Sequence, residues 1–357
     1  MKRRMINCTT TAVENLYEKR DWRLIFHNLR NIRIPTDIPG MPLDYDEWVC
    51  DHPETVWETI ATEGIIEIHA SDPFLSDIQN RPNMIMDYPK DIFLIDQKTK
   101  RKMSKNTGVI MMSDKSARAT SLKCSWPGKL QHDTPFNWKS FFNDNGRDMS
   151  TIPNNALVIT DLYLFDQYWK QGIRNLSCML EEILPESFEF DYHILIVTDV
   201  ACQRKPIDTH IAVREIQKIL DNLRRSYPIV FEVLFIEKID GKPQTEEEEA
   251  LCTLYSASHN RRIYSNSFII YAEHGYNTVI NRSGDNRARW DQKVEFQCIY
   301  HGVDNKQLNN EDLPVNFIDD YLEKISVIID KSLNVGNYFI NGKEGKSQDI
   351  INRLVRR

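Results

Sequence analysis

The sequence predicts an α/β protein, with a mostly parallel sheet flanked by helices in residues 154–335, preceded by an α+β domain in residues 1–150. Three observations lead to this fold class. The chain has 357 residues, enough for two hydrophobic cores. Its 41% apolar and 27% charged residues are typical of globular proteins. In the second half, short apolar runs alternate with amphipathic segments of the length that connects parallel strands.

Charge and cysteine content narrow the class of protein. The net charge of −7 argues against a protein that coats nucleic acid, although local basic patches remain compatible with phosphate binding. The seven cysteines are never spaced as C-x-x-C, so we expect reduced thiols, a cytoplasmic location and no zinc site. The sequence contains neither a Walker A nor a G-x-G-x-x-G motif, and we expect no cofactor. We expect no secretion signal, and no apolar run is long enough to predict a transmembrane segment.

The N-terminal half contains one predicted helix and three predicted strands. Residues 51–63 combine a capping aspartate, a proline in the first turn and apolar residues on one face, and Gly64 ends this helix. Runs of β-forming residues predict strands at 65–69, 91–96 and 109–112. This predicted helix and these strands do not indicate a function for the N-terminal half.

Residues 97–106, between the last two of these strands, form a predicted hairpin-like connection with five basic residues and no acidic one. Two interpretations remain open. The connection is either a solvated loop tip, as most charged runs are, or a phosphate-contacting finger. The nearby Lys115, Arg118 and Lys123 favour the second interpretation.

Residues 127–153 are rich in Asn, Asp, Gly and Pro, which places the domain boundary there. Beyond it, strands and helices alternate. Strands are predicted at 156–165, 192–198, 229–236, 268–272 and 294–300, and helices at 173–184, 209–227 and 317–333. The segment 341–357 contains glycines and ends in a basic run, so we expect a flexible basic tail.

A short motif leads into the strand at 268–272. His259, Arg261 and Asn266 have the spacing H-x-K-x-x-x-x-D of the phospholipase D superfamily, with Arg for Lys and Asn for Asp. In that chemistry the histidine attacks phosphorus, and the cation neutralises charge on the phosphoryl oxygens. Arginine retains the charge and adds a planar fork for phosphate, whereas asparagine loses the carboxylate. Ordinary polar residues before a strand would produce the same short match by chance.

The order of elements around this motif resembles one family. Residues 154–330 are similar to the phospholipase-D-like domain at the C-terminus of proteins that carry a microtubule-interacting-and-transport domain, which also has prokaryotic relatives. The resemblance implies a phospholipase-D-like fold that lacks the full catalytic set, binds acidic phospholipids and forms homo-oligomers. We therefore expect the domain to recognise a phosphodiester, in nucleic acid or in an acidic phospholipid. It also places Asp161 and Tyr163 on an acidic-aromatic pair after the first strand.

The alternative to pure recognition is catalysis by a homodimer. Active phospholipases D need two histidines, and this chain has one such motif. A homo-oligomer that brings two copies of His259 together across a two-fold axis would supply both, giving a metal-independent phosphodiesterase or nuclease.

Further candidate residues surround this motif. Phosphate-binding candidates are Arg261, Arg262, Arg282, Arg287, Arg289 and Lys293. Several of them lie in 282–293, which is interpreted either as a basic rim of the phosphate site or as a solvated loop.

A rival site falls in the N-terminal half. Asp87, Asp96 and Lys98 outline the pattern of a metal-dependent nuclease, in which two acids hold Mg²⁺ and a lysine positions water. A charged turn after a strand produces the same pattern by chance. A third class of function also remains open, an interaction scaffold or a sensor that binds a nucleotide at the carboxyl ends of parallel strands.

Overall fold

The computed structural model shows an α/β protein and confirms that coarse fold class. It describes residues 4–19, 31–35, 45–63, 65–69, 77–78, 80–103, 106–115, 124–130, 138–139, 149, 152–165, 169–199, 207–236, 241–246, 248–249, 251–252, 261–272, 279–282, 285–288, 292–298, 318–319, 322–323, 325–327, 337–345 and 350–356. The chain divides into two compact units. The N-terminal unit comprises Lys2–Cys124 and Cys298–Asp319, and the C-terminal unit comprises Ser125–Gln297 and Asp320–Arg357.

The N-terminal unit is built on a five-stranded parallel sheet. Its strands are β1 (Ile6–Cys8), β2 (Asn31–Pro35), β3 (Ile65–His69), β4 (Ile92–Ile95) and β5 (Ile110–Ser113), arranged in the order β3-β2-β1-β4-β5. All four neighbouring pairs are parallel. The prediction of an α+β domain is therefore wrong. The sequence failed to indicate parallel pairing because β1 and β2 are short and were not predicted.

The helices of this unit are short, and most of them were not predicted. They are α1 (Thr10–Tyr17), α2 (Tyr45–Asp51), α3 (Val56–Glu63), a 3-10 helix (Pro82–Asp87) and α4 (Gln97–Lys102). The single helix predicted for 51–63 is interrupted at Glu54, whose φ of 64° lies in the left-handed region and is incompatible with a continuous helix. On α1, Ala12, Val13 and Leu16 are buried.

The hairpin predicted for residues 97–106 is wrong, because β4 and β5 are parallel. Parallel neighbours require a crossover, and the first part of this one is α4. Asp96 caps α4: its carboxylate accepts hydrogen bonds from the N–H groups of Lys98 and Thr99, each at 2.9 Å. A capping aspartate at a strand end was the available sequence signal for a helix start.

The C-terminal unit contains a larger, mixed sheet. Its strands are β6 (Cys124–Leu130), β7 (Ala156–Thr160), β8 (Tyr192–Thr198), β9 (Ile229–Phe235), β10 (Arg261–Ser265), β11 (Phe268–Ala272), β14 (Gln292–Cys298), β15 (Asn337–Ile340) and β16 (Lys343–Glu344). The order is β16-β15-β9-β8-β7-β10-β11-β14-β6. Strands β12 (Val279–Arg282) and β13 (Asp285–Ala288) form a separate hairpin.

Only the centre of this sheet is parallel among the pairings that the structure defines. Strands β7, β8 and β9 pair in parallel, whereas β10 runs antiparallel to β7 and β15 antiparallel to β9. The expectation of a mostly parallel sheet is therefore corrected to a parallel core with antiparallel flanks. Strands β10 and β11 are joined by only two residues, and a connection this short permits only antiparallel pairing.

Two long helices connect the parallel strands, α5 (Trp169–Ile183) and α6 (Thr209–Asn222), and they pack against each other. Asp208 caps α6 by accepting a hydrogen bond from the Ile211 N–H at 3.1 Å. The predicted helix continued to residue 227, but Arg224 adopts a left-handed φ of 47° and ends it. Among the helices that the structure describes, none is long and apolar enough to cross a membrane.

The expected flexible tail is instead packed into the C-terminal unit over residues 350–356. Leu354 and Val355 are buried, and the Asn352 side-chain amide donates a hydrogen bond to the Leu157 carbonyl of β7 at 3.0 Å. The Ile351 N–H also donates to the Glu232 carboxylate of β9 at 2.9 Å. Composition suggested disorder here, but buried apolar residues and several hydrogen bonds hold the segment in the C-terminal unit.

Candidate functional site

The carboxyl edge of the parallel strands in the C-terminal unit collects charged side chains. Asp161 follows β7 and Asp199 follows β8, and both are buried. Because β10 is antiparallel to β7, its first residue, Arg261, lies at this same edge. Ligands of parallel α/β sheets bind outside the carboxyl ends of the strands. This edge is therefore the candidate ligand-binding site of the C-terminal unit.

Arg261 is held in position by two neighbours. Its Nε lies 3.3 Å from the Oδ1 of Asp161, and its guanidinium carbon lies 4.8 Å from the ring centroid of Tyr163. Asp161 Oδ1 also accepts a hydrogen bond from the Tyr163 N–H at 2.9 Å. An ion pair and a cation–π contact together fix the plane of a guanidinium. The structure thus brings Arg261 of the motif together with the predicted acidic-aromatic pair of Asp161 and Tyr163.

Arg262 points to the opposite face of the sheet, because successive side chains of a strand alternate. Its Nη1 donates a hydrogen bond to the Tyr264 hydroxyl at 3.1 Å, and its guanidinium carbon lies 5.6 Å from the ring centroid of Tyr271. The structure therefore does not group Arg262 with Arg261. It places the two arginines on different faces, and a single ligand on one face cannot contact both in the same way.

Asn266 lies at the other end of β10 from Arg261, a separation of about 16 Å at the rise of a strand. Its side chain is fully buried, and its Oδ1 accepts a hydrogen bond from the Asn155 N–H at 3.1 Å. The structure does not bring Asn266 into contact with Arg261, so its assignment to one catalytic constellation is corrected. His259 lies outside the described residues.

The predicted basic rim, 282–293, is partly a hairpin at the backbone level. Arg282 pairs with Asp285 at the end of β12, Arg287 lies in β13 and Lys293 in β14. The positions of these three side chains, and the whole of Arg289, lie outside the described residues. Their grouping with Arg261 stays a prediction.

The predicted metal site of the N-terminal unit is not assembled. Asp87 ends the 3-10 helix that precedes β4, whereas Asp96 follows β4, so the strand separates the two carboxylates. Asp96 uses both oxygens to cap α4, since its Oδ2 accepts from the Thr99 hydroxyl at 2.6 Å and its Oδ1 accepts from backbone N–H groups. Partial burial alone would raise the pKa of Asp96, but these hydrogen bonds lower it. Within the ranges given above, no cluster of three or more His, Cys, Asp or Glu side chains could hold a metal ion.

A cleft opens instead at the carboxyl ends of β4 and β5. It has a volume of about 560 Å³, within the range of small-molecule sites. Its lining residues are Asp96, Gln97, Lys98, Arg101, Asp114 and Lys115. Lys98 and Lys115 were predicted as basic residues from the sequence, whereas Asp114 was not predicted. A polar residue directly after a buried parallel strand was the signal that would have found it.

A buried carboxylate also marks the amino end of this sheet. Asp91 accepts hydrogen bonds from the Met5 N–H at 3.0 Å and from the Asn7 side-chain amide at 2.9 Å. Burial raises the pKa of Asp91 to about 6, against the effect of these hydrogen bonds and of nearby Arg33 and Arg4. Because both hydrogen bonds are to groups of β1 and the residue before it, this network fastens β4 to its neighbour.

Two ionisable side chains of the central strands of the C-terminal unit have shifted pKa values: Glu232 is buried and His193 is half-buried. Burial raises the pKa of Glu232 in β9 to about 7, although hydrogen bonds from Tyr338 and Ile351 act in the opposite direction. Burial and the charge of Arg353 lower the pKa of His193 in β8 to about 4. Both side chains face the segment 350–356, so they belong to the packing of that segment and not to the Arg261 edge.

Comparison with known proteins adds no assignment to these sites. No protein-family model matches the chain, and a search of curated proteins finds no match either. Two features therefore carry the functional argument: the Arg261 edge of the C-terminal unit, and the cleft at β4 and β5 of the N-terminal unit.

Proposed function

We propose that the C-terminal unit is a phospholipase-D-like module that recognises a phosphodiester at the carboxyl edge of β7 and β8, with little or no turnover. The observation that carries the proposal is the position of Arg261. Asp161 and Tyr163 orient its guanidinium at the edge where parallel sheets bind ligands. An arginine fixed in this way loses little side-chain entropy when it binds a phosphate.

Recognition without turnover is supported by the rest of the motif. Asn266 replaces the aspartate of the phospholipase D pattern, and its side chain is buried with the Asn155 N–H as a partner. Arg261 replaces the lysine. Arginine binds phosphate in a bidentate manner, but it does not simply substitute for a catalytic lysine. One chain also provides only one such motif, and hydrolysis would require a second His259 from another copy.

The test compares variants that remove the same charge from opposite faces of β10. Arg261→Ala should weaken binding of a single-stranded oligonucleotide at least about tenfold, the usual effect of losing a charged hydrogen bond. Arg262→Ala serves as the matched control and should change binding by less than about twofold. A parallel measurement with vesicles that contain an acidic phospholipid distinguishes a lipid headgroup from nucleic acid as the source of the phosphodiester.

Loss of Arg261 leaves the buried Asp161 without its cation, which would destabilise the fold. Arg261→Lys avoids this problem because it retains the charge and removes only the planar fork; it should still weaken binding. Unchanged binding in both Arg261 variants, or an equal loss in Arg262→Ala, would contradict the proposal. Hydrolysis in EDTA that disappears in His259→Ala, by a protein that light scattering shows to be a dimer, would establish the phosphodiesterase instead.

A further inference from the structure

The cleft of the N-terminal unit lies where its topology favours a ligand. In the order β3-β2-β1-β4-β5, the chain adds strands on one side of β1 and then on the other, so the strand order reverses between β1 and β4. Open parallel sheets bind ligands at the carboxyl ends of the strands, next to such a reversal. The cleft is formed by the residues that follow β4 and β5, so it lies at this carboxyl edge, beside the reversal and not within it.

Three cations line the cleft. Lys98 and Arg101 come from α4, and Lys115 comes from the turn after β5. All three are exposed, and in the described part of the chain none of them has an ion-pair partner. Three cations that converge from two segments on one cleft form a site for a ligand with concentrated negative charge, such as a phosphate group.

The two acids of the cleft do not cancel this charge at the same place. Asp96 directs its carboxylate to the amides of Lys98 and Thr99, as described above. Asp114 accepts a hydrogen bond on Oδ2 from the Asn15 side-chain amide at 3.1 Å. Its other oxygen, Oδ1, is buried and accepts no hydrogen bond from any residue whose placement the structure gives. A buried carboxylate oxygen requires a donor, and a ligand hydroxyl would supply one.

We propose that this cleft binds a phosphorylated sugar, either free or as part of a nucleotide. Lys98, Arg101 and Lys115 hold the phosphate, and Asp114 Oδ1 accepts a hydrogen bond from a sugar hydroxyl. A carboxylate that binds ribose hydroxyls beside a phosphate site is a common arrangement at this edge of parallel sheets. The site is separate from the Arg261 edge, so its ligand and its test are independent of the function proposed for the C-terminal unit.

Calorimetric titration of the full-length protein with four probes tests the proposal: ribose 5-phosphate, AMP, adenosine and inorganic phosphate. Ribose 5-phosphate and AMP should bind more tightly than adenosine or inorganic phosphate. Arg101→Ala and Lys115→Ala should each weaken ribose 5-phosphate at least about tenfold. Arg81→Ala is the matched control, because Arg81 is an exposed arginine that precedes the 3-10 helix, is not among the lining residues of the cleft and pairs with Asp77 at 3.4 Å. It should leave binding unchanged.

Asp114→Asn separates the two halves of the site. It removes a negative charge near the phosphate as well as the charged acceptor for the hydroxyl. It should therefore weaken ribose 5-phosphate while leaving inorganic phosphate unchanged or tighter, a divergence that simple misfolding would not produce. Tighter binding of AMP than of ribose 5-phosphate identifies a nucleotide as the source, and equal binding identifies a sugar phosphate; both support the proposal.

Three results would overturn it. The first is that neither phosphorylated probe binds at millimolar concentration. The second is that Arg81→Ala weakens binding as much as Lys115→Ala does. The third is that Asp114→Asn changes the affinities for ribose 5-phosphate and for inorganic phosphate by the same factor. Lys115 is exposed, so its substitution leaves the fold intact and keeps the test valid even where Asp114→Asn lowers stability.

Discussion

Glu232 offers the most direct test of how the C-terminal segment is held. Its side chain is fully buried in β9, and its carboxylate accepts hydrogen bonds from the Tyr338 hydroxyl and from the Ile351 N–H. The carboxylate therefore joins β9 to β15 and to the segment 350–356. The informative perturbation is Glu232→Gln, which keeps an acceptor oxygen of nearly the same shape and removes the ionisable proton.

The expected effect follows from the pKa. Burial raises the pKa of Glu232 from 4.5 to about 7 in the folded protein, so the folded state binds more protons than the unfolded state between these values. The contribution of Glu232 to stability therefore falls as the pH rises through this window. Each tenfold change in proton affinity corresponds to about 1.4 kcal/mol, so the loss amounts to about 3 kcal/mol above the folded pKa. Glu232→Gln lacks this loss.

The difference in unfolding free energy, variant minus wild type, should then rise by about 3 kcal/mol as the pH rises from 4.5 to about 7. Hydrogen exchange of peptides from β9 and β15, corrected for intrinsic chemical exchange, measures this locally, which avoids assuming that both units unfold together. The same pH dependence in variant and wild type would show that Glu232 does not titrate in this window, and would refute the argument from burial.

His193 provides the opposite case on the same face of the neighbouring strand. Its pKa is lowered from 6.5 to about 4, so the unfolded state binds more protons between these values. Its contribution to stability is therefore present above pH 6.5 and falls as the pH drops through the window. Amide exchange in β8 and β9 of the wild type combines these two opposing slopes, and His193→Gln should remove the contribution of His193 and leave that of Glu232.

Two further predictions concern local structure. Asp96→Ala removes the cap of α4 and should destabilise that helix by about 1 kcal/mol, whereas Asp96→Ser should retain most of the stability. Amide hydrogen exchange of residues 97–102 should be faster in the alanine variant only. Equal exchange in both variants would contradict the capping role. Gly345→Ala places a Cβ 2.8 Å from the Tyr338 ring and should destabilise the β15–β16 pair by about 1–3 kcal/mol in a thermal unfolding measurement. No change there would mean that the ring moves freely.

The sequence predicted individual elements well where they were long and apolar. The strands at 192–198 and 268–272 have the predicted bounds, and the helix at 173–184 overlaps α5 over most of its length. Short elements were missed, as were left-handed residues such as Arg224, because a positive φ in a non-glycine residue has no reliable sequence signal.

The candidate sites were predicted in part. The motif named Arg261, and the resemblance named Asp161 and Tyr163 after the strand that pairs with β10. The structure brings these three side chains together, and their role in binding a ligand stays a prediction. The motif treated Arg261 and Asn266 as members of one site, however. In the structure they lie at opposite ends of β10, because residues five apart in a strand are far apart in space. In the N-terminal half, Asp87 and Asp96 were grouped because they match a nuclease pattern, although β4 separates them.

The sequence by itself determined the α/β class and the buried runs that form the central strands, because periodicity and apolar length are local properties of the chain. It also determined which residues carry the charges. Only the tertiary structure decided the direction of pairing, the packing of residues 350–356 and the meeting of Lys98, Arg101 and Lys115 at one cleft. These depend on contacts between segments distant in sequence, and the order and direction in which strands pair is not encoded in any one of them.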